Sequence, residues 1–312
     1  MVNRKDIHII NRNSTISEKQ VAKALDEHVY SNKKSWQKFL KVFFISLGLG
    51  FTLTGVIFFF AYNWADLHKF VKIGLISGLL IGTSLLALWP QINTFLRKIT
   101  ITGASVLVGV LFAVYGQIYQ TGANAYDFFL AWTIFISIWV VVSNFAPLWL
   151  LFIILINTTS ILYYQQVAND WSETLICLLL FIFNTIVLIT SSSTKKIKSP
   201  DWFNNVLALM AVSYATIGFI FGLYENDHLI FFLILVFILI IYSAGVLRDL
   251  KTKNIYNISL ISLSLTIIIA AFMIKVTESE QVLILVSVFI IMSISFSIKK
   301  MIDLQKKWKN EN

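Results

Sequence analysis

Long apolar runs alternate with short polar segments along most of the chain. Each run is long enough to cross a bilayer, whose hydrocarbon core of about 30 Å is spanned by about 20 helical residues. We therefore predict an all-α, polytopic integral membrane protein with about ten transmembrane helices. The predicted spans lie near residues 42–62, 70–89, 99–115, 128–144, 147–164, 173–191, 203–223, 228–247, 255–274 and 281–298.

The polar ends of the chain frame this membrane domain. We assign residues 1–41 to a cytoplasmic amphipathic helical segment, residues 42–298 to the transmembrane domain and residues 299–312 to a basic cytoplasmic tail. Within the first segment, Thr15 and Glu18 fit a capping box, and apolar residues at helical spacing predict a short helix from about residue 16 to 30. We expect this helix to anchor at the membrane surface, with docking of a cytosolic partner as the alternative.

The fourth and fifth spans are joined very closely, at residues 143–147. They must form a helical hairpin. Pro147 fits the first turn of the fifth helix, where its missing N–H has no helical partner to lose.

Composition and charge support a membrane protein and set its orientation. The chain is 57% hydrophobic and 13% charged, against about 25% charged in soluble proteins. With an inside N-terminus and ten spans, every Lys and Arg except Lys69, Lys72 and Lys275 falls on one side. The positive-inside rule then predicts that both termini are cytoplasmic. Because the basic residues flank membrane helices, the net charge of +9 does not indicate a nucleic-acid partner.

One polar interruption, residues 116–132, contains neither Lys nor Arg. Together with the loop after the first span, it gives a candidate polar binding cluster at the outer membrane face. Its members are Asn63, Trp64, Asp66, Gln117, Tyr119, Gln120, Asn124, Asp127 and Trp132. In a structural interpretation, the amides satisfy the backbone of a broken segment, Gly116 and Gly122 permit turns, and the aromatic residues form an interfacial belt. In a functional interpretation, the cluster binds a polar headgroup, a glycan or a peptide segment.

At these residues the chain resembles a bacterial membrane family catalogued as domain of unknown function 2157. The resemblance is carried by AYNWADLHKFVKIGL at residues 61–75, by GQIYQTGANAYDFFLAW at residues 116–132, and by the Pro-Leu-Trp turn at residues 147–149. It is concentrated in the first half of the chain. It implies a similar topology and no established activity. Members often accompany other uncharacterised membrane proteins, which suggests a multi-subunit assembly.

The spans lack the residues on which several mechanisms depend. No Asp, Glu, Lys, Arg or His lies near the middle of a predicted span, which disfavours a proton-driven transporter. Asn157 and Asn184 are mid-span amides, for which we expect interhelical hydrogen bonds. No nucleophile or phosphate-loop motif is present. A metal site built from His68, His228 and the Asp beside each would require two loops to meet, and nothing in their spacing demands this.

The sequence thus favours a noncatalytic binding or assembly subunit with a polar site at the outer membrane face. One alternative is a transporter or flippase for a lipid or amphiphile, which requires a polar groove from the cluster towards Asn157 or Asn184. The other is a membrane enzyme acting on a lipid-linked substrate, with Asp127 or His68 as acid or base. We expect no cofactor. The expected partners are membrane lipids and other membrane proteins, and the expected location is the bacterial inner membrane.

Overall fold

A computed structural model describes residues 17–28, 33–63, 67–119, 122, 124–193, 199–277 and 282–310. All regular structure in these residues is α-helical. The helices are α1 (Glu18–His28), α2 (Lys33–Asn63), α3 (Lys69–Leu88), α4 (Thr94–Tyr119), α5 (Ala125–Ser143), α6 (Ala146–Gln166), α7 (Glu173–Ser193), α8 (Asp201–Tyr224), α9 (His228–Thr252), α10 (Ile255–Val276) and α11 (Val282–Asn310).

The predicted all-helical membrane fold is confirmed. Each predicted span lies within one helix of the series α2 to α11, to within one residue at its ends. Among the described residues, nine helices, α3 to α11, are long and apolar enough to cross a membrane. Helix α2 contains the first predicted span but is not one of these nine, so the tenth crossing stays a prediction.

The chain divides into two compact units, residues 1–72 and residues 73–312. In the first unit, the start of α1 is fixed by Ser17, whose backbone N–H donates to Gln20 Oε1 at 3.0 Å. The predicted capping box lies two residues earlier, and its Thr15 is outside the described residues. Helix α2 runs without a break through the predicted boundary at residue 41, as α11 does at residue 298, so the predicted domain limits remain predictions.

The second unit holds two main packing clusters. In the first, α4, α5 and α6 meet around Val108, Ile136, Val140, Leu148 and Leu155. In the second, α7 to α10 meet around a larger set of buried apolar side chains. This set includes Phe181, Ala211, Ala215, Phe219, Ile234, Ile238 and Ile261. A smaller cluster that includes Ile153, Phe203 and Leu207 connects α6 with α8.

Three buried hydroxyl groups tie α8, α9 and α10 together inside the second cluster. Ser264 Oγ lies 2.6 Å from Thr216 Oγ1 and 2.7 Å from the hydroxyl oxygen of Tyr242. The Tyr242 ring also packs edge-on against Phe181, with ring centroids 6.4 Å apart. We call Thr216, Tyr242 and Ser264 the hydroxyl triad. Because each hydroxyl has a partner, the triad crosses three helices without leaving these hydroxyls unpaired.

The loops of the second unit lie alternately at two ends of the helices. At one end, Lys98 Nζ donates to the carbonyl of Asn144 at 3.2 Å, and a cavity lined by both Asn144 and Ser199 connects this region to α8. We call it the basic end. Its cationic residues include Arg97, Lys98, Arg248, Lys251 and Lys253.

At the other end, the backbone N–H of Tyr126 donates to Gln166 Oε1 at 3.0 Å, and Lys275 Nζ lies 4.6 Å from the ring centroid of Tyr224. We call it the acidic end. Its carboxylates include Asp127, Asp170, Glu173, Glu225 and Asp227. The loops alternate in the predicted order. Which end faces the cytoplasm stays a prediction.

The predicted hairpin between the fourth and fifth spans is confirmed. Helix α5 ends at Ser143, α6 begins at Ala146, and Pro147 lies in the first turn of α6. Asn144 makes the reversal with a φ of 41°, and its backbone N–H donates to the carbonyl of Val140. Asn tolerates this left-handed conformation better than most residues, so a short link suffices.

At the acidic end, Glu225 caps the start of α7 from the end of α8. Its carboxylate accepts the backbone N–H of Glu173 at 2.7 Å and that of Thr174 at 3.3 Å. These N–H groups have no partner inside their own helix, and the N-terminal end of a helix favours negative charge. The carboxylate therefore fastens α7 to α8 across the loop.

We expect Glu225→Ala to lower the free energy of unfolding by about 0.5–2 kcal/mol, the usual loss for a helix cap. Glu225→Gln retains one oxygen acceptor and should recover part of the loss. Unfolding in mild detergent, followed by far-UV circular dichroism, measures both changes. Asp170→Ala, which removes an exposed carboxylate from the same end, is the control. An equal loss in Asp170→Ala would mean that net charge, not the cap, is responsible.

Candidate functional site

The predicted polar cluster is only partly within the described residues. Gln117 and Tyr119 lie in the last turn of α4, Asn124 directly precedes α5, and Asp127 lies in the first turn of α5. Trp64, Asp66 and Gln120 are outside the described residues, and of Asn63 only the helical backbone is described. Residues 63–66 also fall in the first unit. Their predicted convergence with residues 116–132 stays a prediction.

A groove of about 730 Å³ opens between the end of α4 and the start of α5. It brings together three of the predicted residues, Gln117, Asn124 and Asp127. Tyr115 and Phe128 also line it, and sequence reasoning missed both because they lie within apolar helical sequence. The groove thus combines two amides and a carboxylate with three aromatic rings, those of Phe112, Tyr115 and Phe128, as small-molecule sites commonly do.

The polar groups of this groove differ in how far the fold already uses them. Asp127 Oδ2 accepts the backbone N–H of Asn124 at 3.1 Å, so this carboxylate also caps α5. The side chain of Gln117 is exposed and makes no hydrogen bond to another described residue. Among the described residues, therefore, nothing engages the Gln117 amide, whereas the Asp127 carboxylate is already used at the start of α5.

The structure corrects the predicted turn at Gly116. The structural interpretation of the cluster included turns at two glycines, but α4 continues regularly through Gly116 to Tyr119. Gly122 does adopt the left-handed conformation, with a φ of 64°. The last turn of α4 holds polar residues, which are suited to the membrane–water interface. The helix can therefore continue beyond the apolar span that crosses the bilayer.

Two aromatic members of the predicted cluster have other surroundings. The indole N–H of Trp132 donates to the carbonyl of Ser105 at 2.8 Å, and its ring packs against Gly109. Trp132 therefore holds α5 against α4 and is not among the described residues that line the groove. Tyr119 is 48% exposed and stacks on Tyr115, with ring centroids 5.6 Å apart.

The two mid-span amides form a buried reciprocal pair. Asn184 Nδ2 donates to Asn157 Oδ1 at 2.7 Å, and Asn157 Nδ2 approaches Asn184 Oδ1 at 3.4 Å. The predicted interhelical hydrogen bond is confirmed. With 3% and 0% of their surfaces exposed, neither amide opens to a groove. This burial counts against the transporter hypothesis in the form that required a polar route to these residues.

Two of the residues considered for metal binding, Asp227 and His228, lie at the start of α9. Asp227 caps α9 by accepting the backbone N–H of Ile230 at 3.2 Å, and His228 is exposed in the first turn. In the described part of the chain, no three His, Cys, Asp or Glu side chains come close enough to hold a metal ion.

The helices, their apolar outer surfaces and the polar residues at their ends define a polytopic helical membrane protein. Residues 11–149 match the sequence model of a family described as "Predicted membrane protein (DUF2157)". The predicted family resemblance is thereby confirmed over a range that ends in the first turn of α6. The chain matches no curated protein and no solved structure.

Proposed function

We propose that this protein is a noncatalytic binding or assembly subunit of the bacterial inner membrane, with its polar site in the groove at the acidic end. The observation that carries the proposal is the groove itself, where Gln117, Asn124 and Asp127 lie beside Tyr115 and Phe128. This combination suits a polar group attached to an apolar or ring-containing molecule, since the amides and the carboxylate can bind the polar part.

Charge and position support an outer-face site. The positive-inside rule assigns the basic end to the cytoplasm, which places the groove at the opposite face. A ligand there would come from the outer leaflet or from the space outside it. Exposed apolar side chains on α5, such as Ile134, Phe135 and Ile138, give this helix contact with lipid tails or with another membrane protein.

Native mass spectrometry of the protein in mild detergent tests the binding site. The test variant is Gln117→Ala with Asp127→Asn, because Asn retains an oxygen that can accept the Asn124 N–H. The control is Gln165→Ala with Asp170→Asn, which makes equivalent changes at exposed residues of the same end outside the groove. We expect the wild type and the control to retain a lipid or small molecule that binds about tenfold more weakly to the test variant.

Equal ligand retention by all three proteins would contradict the binding site. If a second protein stayed attached to all three and no ligand distinguished them, the cluster would be structural and the chain an assembly subunit. Circular dichroism of each variant confirms that the helices remain folded.

A further inference from the structure

A second site lies at the basic end, among α7, α8, α9 and α10. An apolar cavity of about 320 Å³ extends between these helices, and a polar cavity of about 920 Å³ opens beside it at the helix ends. The two share four lining residues, Leu188, Arg248, Asp249 and Asn257. They therefore adjoin. We call the first the apolar chamber and the second the polar vestibule.

The wall between chamber and vestibule carries a buried carboxylate. Asp249 is 4% exposed, and the one hydrogen bond that its carboxylate receives from a described side chain comes from Asn257 Nδ2, at 3.4 Å. A buried charge is costly unless it is paired and hydrogen-bonded. This single long contact leaves most of the carboxylate's hydrogen-bonding capacity unused, since an ionised carboxylate has about four lone-pair sites.

Two further oxygens on residues that line the chamber have no partner among the described residues. Thr185 is 6% exposed, and its Oγ1 makes no hydrogen bond to a described residue. Asn257 Oδ1 is buried and likewise without a partner among the described residues. Both residues line the apolar chamber. Buried polar atoms are nearly always hydrogen-bonded, so these acceptors indicate a place for a donor that the described residues do not supply.

The rest of the chamber is suited to a hydrocarbon chain. Apart from Arg248 at the border with the vestibule, its wall is formed by aliphatic side chains and by Phe181 and Tyr242, and the Tyr242 hydroxyl is already bound to Ser264. The space for a chain comes from four small residues in the wall, Ala208, Ala211, Ala244 and Gly245. At about 320 Å³ the chamber is near the lower limit for small-molecule sites, which favours a single chain.

We propose that the chamber and its mouth bind a single-chain amphiphile with a primary ammonium headgroup. The chain fills the chamber, and the ammonium N–H groups donate to Asp249, Asn257 Oδ1 and Thr185 Oγ1. A positive charge with several N–H donors matches a carboxylate and two unpaired acceptor oxygens that line the same cavity, and such charge-assisted hydrogen bonds are the strong ones. The polar vestibule provides access from the basic end. This site is separate from the groove at the acidic end and does not depend on it.

Binding of four dodecyl compounds to the full chain in neutral detergent tests the proposal. Dodecylamine carries both the charge and the N–H donors at neutral pH. Dodecyltrimethylammonium retains the charge without donors, dodecanol retains a donor without charge, and dodecanoate reverses the charge. We expect dodecylamine to bind about tenfold more tightly than each of the other three, measured by ligand-induced shifts in thermal unfolding.

Asp249→Asn should remove the preference for dodecylamine over dodecanol. Thr185→Val removes an unpaired oxygen with little change in shape, so it should leave folding intact and reduce the preference for dodecylamine over its trimethyl analogue. Ala244→Leu should weaken all four compounds by filling the chamber, whereas Ser243→Leu, the neighbouring exposed position outside the chamber, should not.

Equal binding of the amine and its trimethyl analogue would overturn the proposed donor recognition. Tighter binding of dodecanoate would overturn the proposed charge and point to Arg248. If Ser243→Leu weakened binding as much as Ala244→Leu, the compounds would be partitioning onto the outer surface, and the chamber site would be wrong.

Discussion

Gly109→Ala is expected to lower the free energy of unfolding by about 1–3 kcal/mol, the range for overpacking a well-packed core. A methyl carbon at this position would overlap the Trp132 ring, lying 2.5 Å from Cζ2 and closer still to Cε2. The ring cannot easily move, because its N–H is bound to the carbonyl of Ser105 at 2.8 Å. Helices α4 and α5 must therefore separate, and far-UV circular dichroism during thermal unfolding in detergent measures the loss.

Gly103→Ala is the matched control for this prediction. Gly103 lies in the same helix, but a methyl group there would have no neighbour within 4 Å. Its substitution should be neutral or slightly stabilising, since Ala favours helices by up to about 1 kcal/mol over Gly. Gly109→Ala should also cost little in a Trp132→Leu background. A full loss in that background would show that Trp132 is not the cause.

Asn184→Leu is expected to lower the free energy of unfolding by about 1–3 kcal/mol, because it leaves Asn157 Oδ1 buried without its partner. The double variant Asn157→Leu, Asn184→Leu removes both amides and should lose less than the sum of the single variants. Unfolding of the single and double variants under the same conditions gives the coupling free energy.

Thr185→Val is the control for the amide pair. It replaces the next residue of α7, which is also buried but has an unpaired hydroxyl, so its substitution should cost little. Additive losses from the two Asn substitutions would contradict the pair, as would a Thr185→Val loss equal to that of Asn184→Leu.

Much of the fold follows from the spacing of apolar residues. Regular apolar runs determine where helices form, and the link between Ser143 and Ala146 is too short for anything except a hairpin. Helix ends were harder to predict. Helix α4 extends to Tyr119 and α9 to Thr252, beyond the predicted spans, because polar residues continue a helix without contributing to the apolar pattern.

The sites were less predictable, because they depend on contacts between distant residues. The polar segment at residues 116–132 indicated the groove, yet Trp132 proved to be a packing residue because its partner, Gly109, is twenty-three positions away in an apolar helix. Asp249 and Thr185 lie in α9 and α7, and their shared cavity has no signal in either segment alone.

The hydroxyl triad makes the inner end of the apolar chamber rigid. Tyr242 lines the chamber together with Phe181, and its hydroxyl is bound to Ser264, which is bound in turn to Thr216. The end of a bound hydrocarbon chain would therefore contact aromatic rings at this part of the chamber, where hydrogen bonds join α8, α9 and α10. Because Asp249 lies at the mouth of the chamber, the distance between its carboxylate and this aromatic wall limits the length of a bound chain. Homologous alkylamines should show a sharp length cutoff, with each carbon beyond it forcing the ammonium away from Asp249.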